Sequence, residues 1–228
     1  ILTPGGVLPF HITQPQASQE LRHWLSTRWF APNGLKQFAQ PDAIHGVYIP
    51  FWTYDTSTTT YYTGQRGEYY YTTETYTERD AQGREVQRTR QVRHTAWYDA
   101  SGTVLGSFDD ILIAATLSLP PNRLADLEPW DLEQLKPYNP AFLSGFKAQR
   151  YQVDLADGFE RAKEVMLPVI ESDVRADIGG DEQRIDSLDT QYRETTSKHL
   201  LLPVYAGAYR FNNKPFQIVV NGRTGEIQ

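Results

Sequence analysis

The feature that most constrains the fold is a pair of segments that share one pattern. Residues 48–68 and 201–226 each place a proline after apolar residues, continue with alternating aromatics and end at a glycine-bracketed turn that closes on glutamate. Alternation bounded by turn residues is typical of β-hairpins, and its recurrence suggests a repeated module. The pattern predicts a sheet that supports a binding surface, and it offers no matching set of catalytic residues.

Strand-forming residues dominate the first half of the chain. Residues 47–97 are rich in tyrosine and threonine, which favour pleated, half-buried positions. Turn residues at 64–67 and 80–83 predict an antiparallel meander with hairpin turns. Further strands are predicted at the ranges 104–119, 147–153, 187–211 and 215–227.

Two amphipathic helices are predicted beside these strands. Residues 14–30 carry apolar side chains at helical spacing, with Ser18 as a candidate N-cap. Residues 154–177 form the longest helix, kinked at Pro168 and stopped by Gly179-Gly180. Short helical turns are expected at 35–40 and within 122–140. The fold class is therefore α+β, with a large antiparallel, hairpin-rich sheet and amphipathic helices packed on it.

The length of 228 residues suits a single domain spanning residues 1–228. A division into a tyrosine-rich half, 1–120, and a half with a helical segment and a C-terminal hairpin, 121–228, is the alternative. Because the chain opens on Ile1 and stops just after a turn, we expect it to be a piece of a longer protein. No signal peptide is recognisable, so a cytoplasmic location is expected.

Composition argues against several classes of function. The chain has no cysteine, so thiolate metal sites and disulfides are excluded, and its five histidines show no ligand spacing. No apolar run is long enough to span a membrane. A net charge of −6 disfavours nucleic acid as a partner. Phosphate-binding loops and nucleophile motifs are absent from the sequence, which therefore predicts no enzyme and no cofactor within this chain.

Two acidic motifs offer carboxylates that could take part in chemistry. Asp109-Asp110 offers paired carboxylates for a cation or for acid–base work, but the sequence shows no third ligand, and a bulge or turn that caps backbone donors is the favoured interpretation. Gly179-Gly180-Asp181-Glu182 matches a turn found in diguanylate cyclases. A glycine-rich helix C-cap explains the same residues without chemistry.

Arginines are concentrated between Arg79 and His94. This stretch contains five arginines and two acidic residues, which gives a formal charge of 5 − 2 = +3. Arg88, Arg90 and Arg93 form the candidate nucleic-acid surface, with nearby tyrosines available for stacking. The favoured alternative is an exposed hairpin whose arginines pair with Glu74 and Glu78 on the neighbouring strand.

Tyrosines 61, 69 and 71 are the candidate protein interface. Side chains alternate across a strand, so the runs Tyr61-Tyr62 and Tyr69-Tyr70-Tyr71 place some rings outward whichever face is buried. Exposed tyrosines suit interfaces because they combine a large rigid area with a polar tip. Simple cross-strand packing of Tyr61, Tyr69 and Tyr71 is an equally good explanation.

Several longer strings of residues resemble one bacterial family. The strings are Trp29-Phe30-Ala31-Pro32, Gly46-Val47-Tyr48-Ile49-Pro50-Phe51-Trp52, Phe108-Asp109-Asp110, Leu127-Glu128-Pro129-Trp130, Asp177-Ile178-Gly179-Gly180-Asp181-Glu182-Gln183 and Lys198-His199-Leu200-Leu201-Leu202-Pro203. Together they resemble the bacterial zinc-ribbon proteins often described as primosomal protein N-prime-like or replication-factor-Y-like. The likeness spans nearly the whole chain.

The resemblance implies features that would lie outside this chain. Such proteins usually begin with a four-cysteine zinc ribbon, so zinc is expected in an N-terminal ribbon, and a hydrophobic C-terminal anchor would tether the protein to the inner face of the membrane. The resemblance also implies a non-enzymatic adaptor in a membrane-stress or membrane-associated assembly. Its partners would be other proteins or a second copy. The alternative is a nucleic-acid-binding accessory domain that acts with the ribbon.

Overall fold

The structure is a computed structural model that describes residues 2–27, 44–211 and 214–228. Within these residues there are three α-helices: α1 (Gln14–Ser26), α2 (Pro121–Ala125) and α3 (Leu155–Ile178). Its strands are β1 (Gly6–Val7), β2 (His45–Arg79), β3 (Glu85–Ala114), β4 (Lys136–Pro137), β5 (Lys147–Ala148), β6 (Glu182–Phe211) and β7 (Lys214–Asn221). Two 3₁₀ turns, Leu132–Gln134 and Pro140–Leu143, lie between α2 and β5. A large sheet accompanied by helices is the predicted α+β class.

The seven strands form one mixed sheet. Its order is β3-β2-β6-β1-β4, with β5 beside β2 and β7 beside β6. The pairs β1–β6 and β2–β5 are parallel, whereas β1–β4 and β6–β7 are antiparallel. The sheet is therefore mixed, and the prediction of a large antiparallel sheet is wrong for these two parallel pairs. Both parallel pairs involve a two-residue strand, which is too short to carry a sequence pattern.

The predicted turn at residues 64–67 is also wrong, because β2 runs without a break through both glycines. A Cβ atom at Gly64 would collide with the carbonyl oxygen of Arg184, and one at Gly67 would lie 2.8 Å from Thr95 and 3.0 Å from Trp97. Glycine inside a strand often marks such close approach. The second predicted turn is confirmed, since the chain reverses at residues 80–84 between β2 and β3.

Helix α1 begins one turn earlier than its predicted cap implies. Thr13 precedes the helix, and its amide donates to Gln16 Oε1 at 2.7 Å. The Gln16 amide in turn approaches the Thr13 hydroxyl oxygen at 3.5 Å, which completes a capping box. Ser18 lies within the helix and is buried, so its assignment as N-cap is wrong.

Helix α3 matches its predicted bounds within one residue. Asp154 precedes it and accepts a hydrogen bond from the Asp157 amide at 2.9 Å, as an N-cap does. Four buried residues repeat every four positions along one face: Ala162, Met166, Ile170 and Val174. The helix continues through Pro168 and ends at Ile178, and Gly179 and Gly180 follow with φ values of 67° and 75°.

Several other strands differ in length from the strands that the sequence predicts. Strand β3 ends at Ala114 instead of residue 119, and only Lys147–Ala148 of the predicted strand 147–153 is extended. Strand β6 begins at Glu182, five residues before the predicted start. The predicted helical turn at 35–40, and the end of the first helix at 28–30, lie outside the described residues.

The chain divides into two compact units. The first unit consists of Ile1–Asp55, Asp109–Val165 and Thr195–Gln228, and the second consists of Thr56–Phe108 and Met166–Glu194. The main core of the first unit draws on five stretches of chain. Its buried members are Leu8, Val47, Ile49, Phe51, Leu119, Leu124, Leu127, Trp130, Leu200, Leu202, Val204 and Val219. Neither unit is a continuous piece of sequence.

Candidate functional site

Within the second unit, the two faces of strand β2 have different surroundings. The Tyr62 hydroxyl donates to Asp177 Oδ2 on α3 at 2.6 Å, and Gly64 lies against Ile178. The hydrogen bond to Asp177 raises the pKa of Tyr62 to about 12. Because neighbouring side chains of a strand point to opposite faces, the odd-numbered residues of this stretch point away from α3.

The predicted interface tyrosines lie on that helix-free side, but they are not equivalent. Tyr61 and Tyr71 are 44% and 61% exposed. Tyr69 is held in place: its hydroxyl donates to Glu182 Oε1 at 2.8 Å, and its amide donates to Asp181 Oδ2 at 2.7 Å. The hydrogen bond to Glu182 raises the pKa of Tyr69. Tyr69 is therefore held within the sheet, whereas Tyr61 and Tyr71 are exposed.

Strand β3 adds two apolar residues to the same side. Gly102 faces the Tyr62 hydroxyl and Asp177, so the odd-numbered residues of this part of β3 point away from α3. Among them, Leu105 is 76% exposed and Trp97 is half-buried. Sequence reasoning missed Leu105, because Val104 and Leu105 are adjacent apolar residues and the pattern does not show which of them is exposed.

Two arginines lie over rings of this surface. The guanidinium carbon of Arg93 is 4.2 Å from the centre of the Tyr69 ring, and that of Arg184 is 3.7 Å from the Trp97 ring. Such cation–π contacts fix both partners. We call the surface formed by Tyr61, Tyr69, Tyr71, Trp97 and Leu105, with Arg93 and Arg184 on its rings, the tyrosine face.

The three arginines of the candidate nucleic-acid surface do not form one patch. Arg88 pairs with Glu78 at 2.8 Å and Arg90 pairs with Glu74 at 3.0 Å, as the alternative interpretation predicts. Arg93 is three residues beyond Arg90 and so lies on the other side of the strand, over Tyr69. Exposed pairs of this kind contribute little stability, roughly 0 to 1 kcal/mol each.

Asp109 and Asp110 belong to an aspartate cluster in the first unit. Asp55 is its third member, and one carboxylate oxygen of each residue lies within 4.8 Å of the others. The Asp110 amide donates to Asp55 Oδ1 at 2.8 Å, and the Thr196 hydroxyl donates to Asp55 Oδ2 at 2.9 Å. Asp55 is 54 positions from Asp109, so no local spacing in the sequence could reveal it.

Lys198 and hydrogen bonds affect the ionisation of the aspartates in this cluster. The Lys198 ammonium lies 3.8 Å from Asp55 and 3.9 Å from Asp110. Burial opposes ionisation of Asp55, but the hydrogen bonds from Asp110 and Thr196 outweigh it and hold the pKa of Asp55 below its ordinary value. The hydrogen bond with Asp55, together with the neighbouring charges, raises the pKa of Asp109.

The geometry explains the aspartate cluster as a backbone cap. Asp110 has a φ of 52°, a conformation that is uncommon for residues other than glycine, and Asp55 satisfies its amide. Three carboxylates are also the ligand type that Mg²⁺ or Ca²⁺ prefers. Here the Lys198 ammonium already offsets part of their charge. Capping of a backbone donor is the interpretation that the sequence favours, although the capping carboxylate is Asp55 instead of Asp109.

Asp181 and Glu182 have a different role from Asp109 and Asp110. The positive φ values of Gly179 and Gly180 end α3, and the Gly179 amide donates to the Arg175 carbonyl at 3.1 Å. This is the predicted helix C-cap. Asp181 and Glu182 then hold Tyr69, so the two acidic pairs contact different partners.

Comparison with known proteins gives one similarity to report. The chain is 24% identical to an uncharacterized protein, YdjG, of Bacillus subtilis strain 168 over 235 residues. The match covers 99% of this chain, and the chain spans about 63% of the length of that relative. No protein-family model and no solved structure matches the chain. Within the described residues, none of the helices has the length and apolar character needed to cross a membrane.

Proposed function

We propose that this chain is a non-enzymatic protein-binding domain that docks its partner on the tyrosine face. The observation that carries the proposal is the exposure of Tyr61, Tyr71 and Leu105 on the side of the second unit's sheet that faces away from α3. Aromatic residues and arginine are enriched where proteins bind one another, and exposed apolar groups gathered on one side of a sheet are typical of such a surface.

Preorganisation supports the proposal. Tyr69 is fixed by Glu182 and Arg93, and Trp97 is covered by Arg184. A surface whose rings are already immobile loses less conformational entropy on binding, and rigid aromatic anchors commonly carry most of the binding energy. The hairpin-rich sheet is thus a platform, and Tyr61, Tyr71 and Leu105 are the groups that a partner would cover.

The resemblance to zinc-ribbon proteins supplies the finer part of the proposal. By that resemblance the domain would be an adaptor within a membrane-associated assembly, and a zinc ribbon and a membrane anchor would lie in segments outside this chain. The protein would then be cytoplasmic and tethered to the inner face of the membrane. Its partners would be other members of the assembly.

Co-purification of the full-length protein from fractionated cells tests the proposal. The wild type is compared with a face variant, Tyr61→Ser/Tyr71→Ser/Leu105→Ser. We expect stoichiometric partners, identified by mass spectrometry, to be recovered with the wild type and lost with the face variant. Recovery of both proteins with membranes should be the same, because the expected anchor would lie outside this chain.

Two exposed tyrosines on the opposite side of the same sheet provide a matched control. Tyr70 and Tyr98 are 49% and 58% exposed, and they alternate with the residues of the tyrosine face. The variant Tyr70→Ser/Tyr98→Ser removes a similar amount of aromatic surface. If it loses the same partners as the face variant, or if the face variant retains them all, the tyrosine face is not the binding surface.

Nucleic-acid binding is the competing proposal, and the geometry gives it less support. Arg88 and Arg90 are already paired with glutamates, and Arg93 covers the ring on which a base would stack. Fluorescence anisotropy with single- and double-stranded DNA at low salt decides the matter. Binding that weakens steeply with salt and is lost in Arg88→Ala/Arg90→Ala would favour nucleic acid over a protein partner.

A further inference from the structure

Among the residues that the structure describes, the sheet of the second unit has two edges without a neighbouring strand. Within this unit the strand order is β3-β2-β6, so β2 is the central strand. The other partners of β6 are β1, which pairs at Leu200 and Leu201, and β7, which pairs from Val204 onward. Along residues 85–108 of β3 and 182–194 of β6, the outer edge therefore offers unpaired backbone groups. Such edges are sites where further strands add.

One end of the β6 edge is already occupied. The Arg175 guanidinium donates to the Gln183 carbonyl at 3.2 Å, so this carbonyl already has a partner. Glu194, with a φ of 53°, ends the regular extended backbone at the other end. Residues 185–193 are the part of the edge that remains open to another strand.

The two edges carry charge of opposite sign. Residues 85–108 of β3 hold three arginines and two acids, a formal charge of 3 − 2 = +1 with histidine neutral. Two of these arginines, Arg88 and Arg90, pair with glutamates of β2. Residues 182–194 of β6 hold two arginines and four acids, 2 − 4 = −2. On the edge itself, Asp186 and Asp189 make no ion pair with any described residue. Like edges would therefore repel one another and unlike edges would attract.

We propose that the β3 edge of one copy of this chain pairs with the β6 edge of a second copy. Contacts between Arg90 and Glu74 and between Gln65 and Asp99 show that β3 is antiparallel to β2. The contacts of Tyr69 with Glu182 and of Thr60 with Thr190 show that β6 is also antiparallel to β2. Strands β3 and β6 are thus parallel to each other. If a second copy lies beside the first in the same orientation, β6 of one copy pairs in parallel with β3 of the other, and the sheet continues across the contact.

This contact is head-to-tail, so it leaves a free edge at each end and assembles chains instead of closed dimers. It uses the edges of the sheet and leaves the tyrosine face uncovered. The inference does not depend on the proposed function, and the face variant should assemble as the wild type does.

Sedimentation velocity across a wide range of protein concentration tests the inference. The wild type should show a sedimentation coefficient that rises with concentration and falls when salt is added, because the attraction between the edges is screened. A wild type that sediments as a monomer at every concentration in low salt overturns the proposal.

Two edge variants locate the contact. The β6-edge variant carries Asp186→Lys/Asp189→Lys. The β3-edge variant exchanges charges within its existing ion pairs, by Arg88→Glu/Glu78→Arg and Arg90→Glu/Glu74→Arg, so that the pairs and the net charge are kept while the edge strand becomes acidic. Each variant alone should weaken self-association roughly tenfold or more, since like charges then face each other.

Combining both sets of changes in one chain restores opposite charges on the two edges. We expect the combined variant to regain concentration-dependent assembly, which also shows that the single variants did not simply misfold. The control Asp126→Lys/Glu133→Lys makes the same change of net charge on exposed residues of the first unit and should leave assembly intact. Single-edge variants that assemble as the wild type does, or a combined variant that stays monomeric, would refute the β3–β6 pairing.

Discussion

Among single residues, His199 has the most unusual surroundings. It is buried, and both of its ring nitrogens lack a hydrogen-bond partner among the described residues. Its ring lies 4.9 Å from the Trp52 ring and 5.4 Å from that of Tyr151, the titratable side chain in contact with it. Burial penalises the charged imidazolium and lowers the pKa of His199. The neutral ring is consequently part of the core.

Protonation of His199 should make stability depend on pH. In the unfolded chain the imidazole titrates near its ordinary pKa of about 6.5, whereas in the folded chain the pKa is lower. The unfolded state therefore binds more protons between these two values, and the free energy of unfolding falls as the pH drops below about 6.5. We expect thermal melts to show a larger loss of stability on acidification for the wild type than for His199→Phe.

The exposed His23 supplies the control for this measurement. It lies in the last turn of α1, and His23→Gln should keep the pH dependence of the wild type. Equal pH dependence in the wild type and in His199→Phe would show that the buried imidazole is not responsible.

Residue-level interpretation of the sequence succeeded where the contact followed from one pair of adjacent strands. The ion pairs of Arg88 and Arg90 required only that a turn near residue 82 bring β2 and β3 together. Asp55 could not be found in the same way. Its contacts with Asp110 and Thr196 depend on the register of three strands, to which no local pattern refers.

At the scale of elements, the start of α3 is closely fitted to β2. Gly158 lies in the first turn of the helix, where an added Cβ would collide with the Tyr54 hydroxyl and lie 2.9 Å from the Trp52 ring. That hydroxyl donates to the Leu155 carbonyl at 2.8 Å, and Trp52 Nε1 donates to the Val153 carbonyl at 2.9 Å. Burial of the hydroxyl raises the pKa of Tyr54. The absence of a side chain at Gly158 permits this approach.

Gly158→Ala should therefore destabilise the protein, against the ordinary preference of helices. Alanine normally favours a helix over glycine by about 1 kcal/mol. Here it overpacks the contact with Tyr54, which typically costs about 1 to 3 kcal/mol. We expect a lower unfolding midpoint in urea, and less change for Gly5→Ala, where the nearest atom would be 3.7 Å from the new Cβ. A Gly158→Ala variant that is more stable than the wild type would contradict the tight packing.

The sequence predicted α3 correctly, but it predicted a turn at residues 64–67, where β2 is continuous. The difference has a physical cause. The helix carries independent signals that agree: Asp154 before it, a buried face repeating every four residues, and two glycines after it. For Gly64 and Gly67, the same residue type serves both a tight turn and a close approach between strands. Only the neighbouring strands decide which applies.

At the scale of the whole molecule, each compact unit is assembled from separated pieces of chain. Strands β2, β3 and β6 and helix α3 each contribute residues to both units. Composition and length are compatible with a single domain for many different topologies. They give no information on which strands pair when those strands are far apart in the sequence. A division of the sequence at residue 120 therefore remains a prediction that needs its own test.

Separating the chain at that division should leave both halves unfolded. The core of the first unit takes Phe51 and Leu119 from residues 1–120, and Leu124, Leu202 and Val219 from residues 121–228. Each half alone would expose apolar surface that the other normally covers, and a domain retains only about 5 to 15 kcal/mol of net stability. We expect neither half to unfold cooperatively in denaturant, and the two mixed halves to recover a cooperative transition. Cooperative unfolding of either half by itself would instead establish a boundary at residue 120.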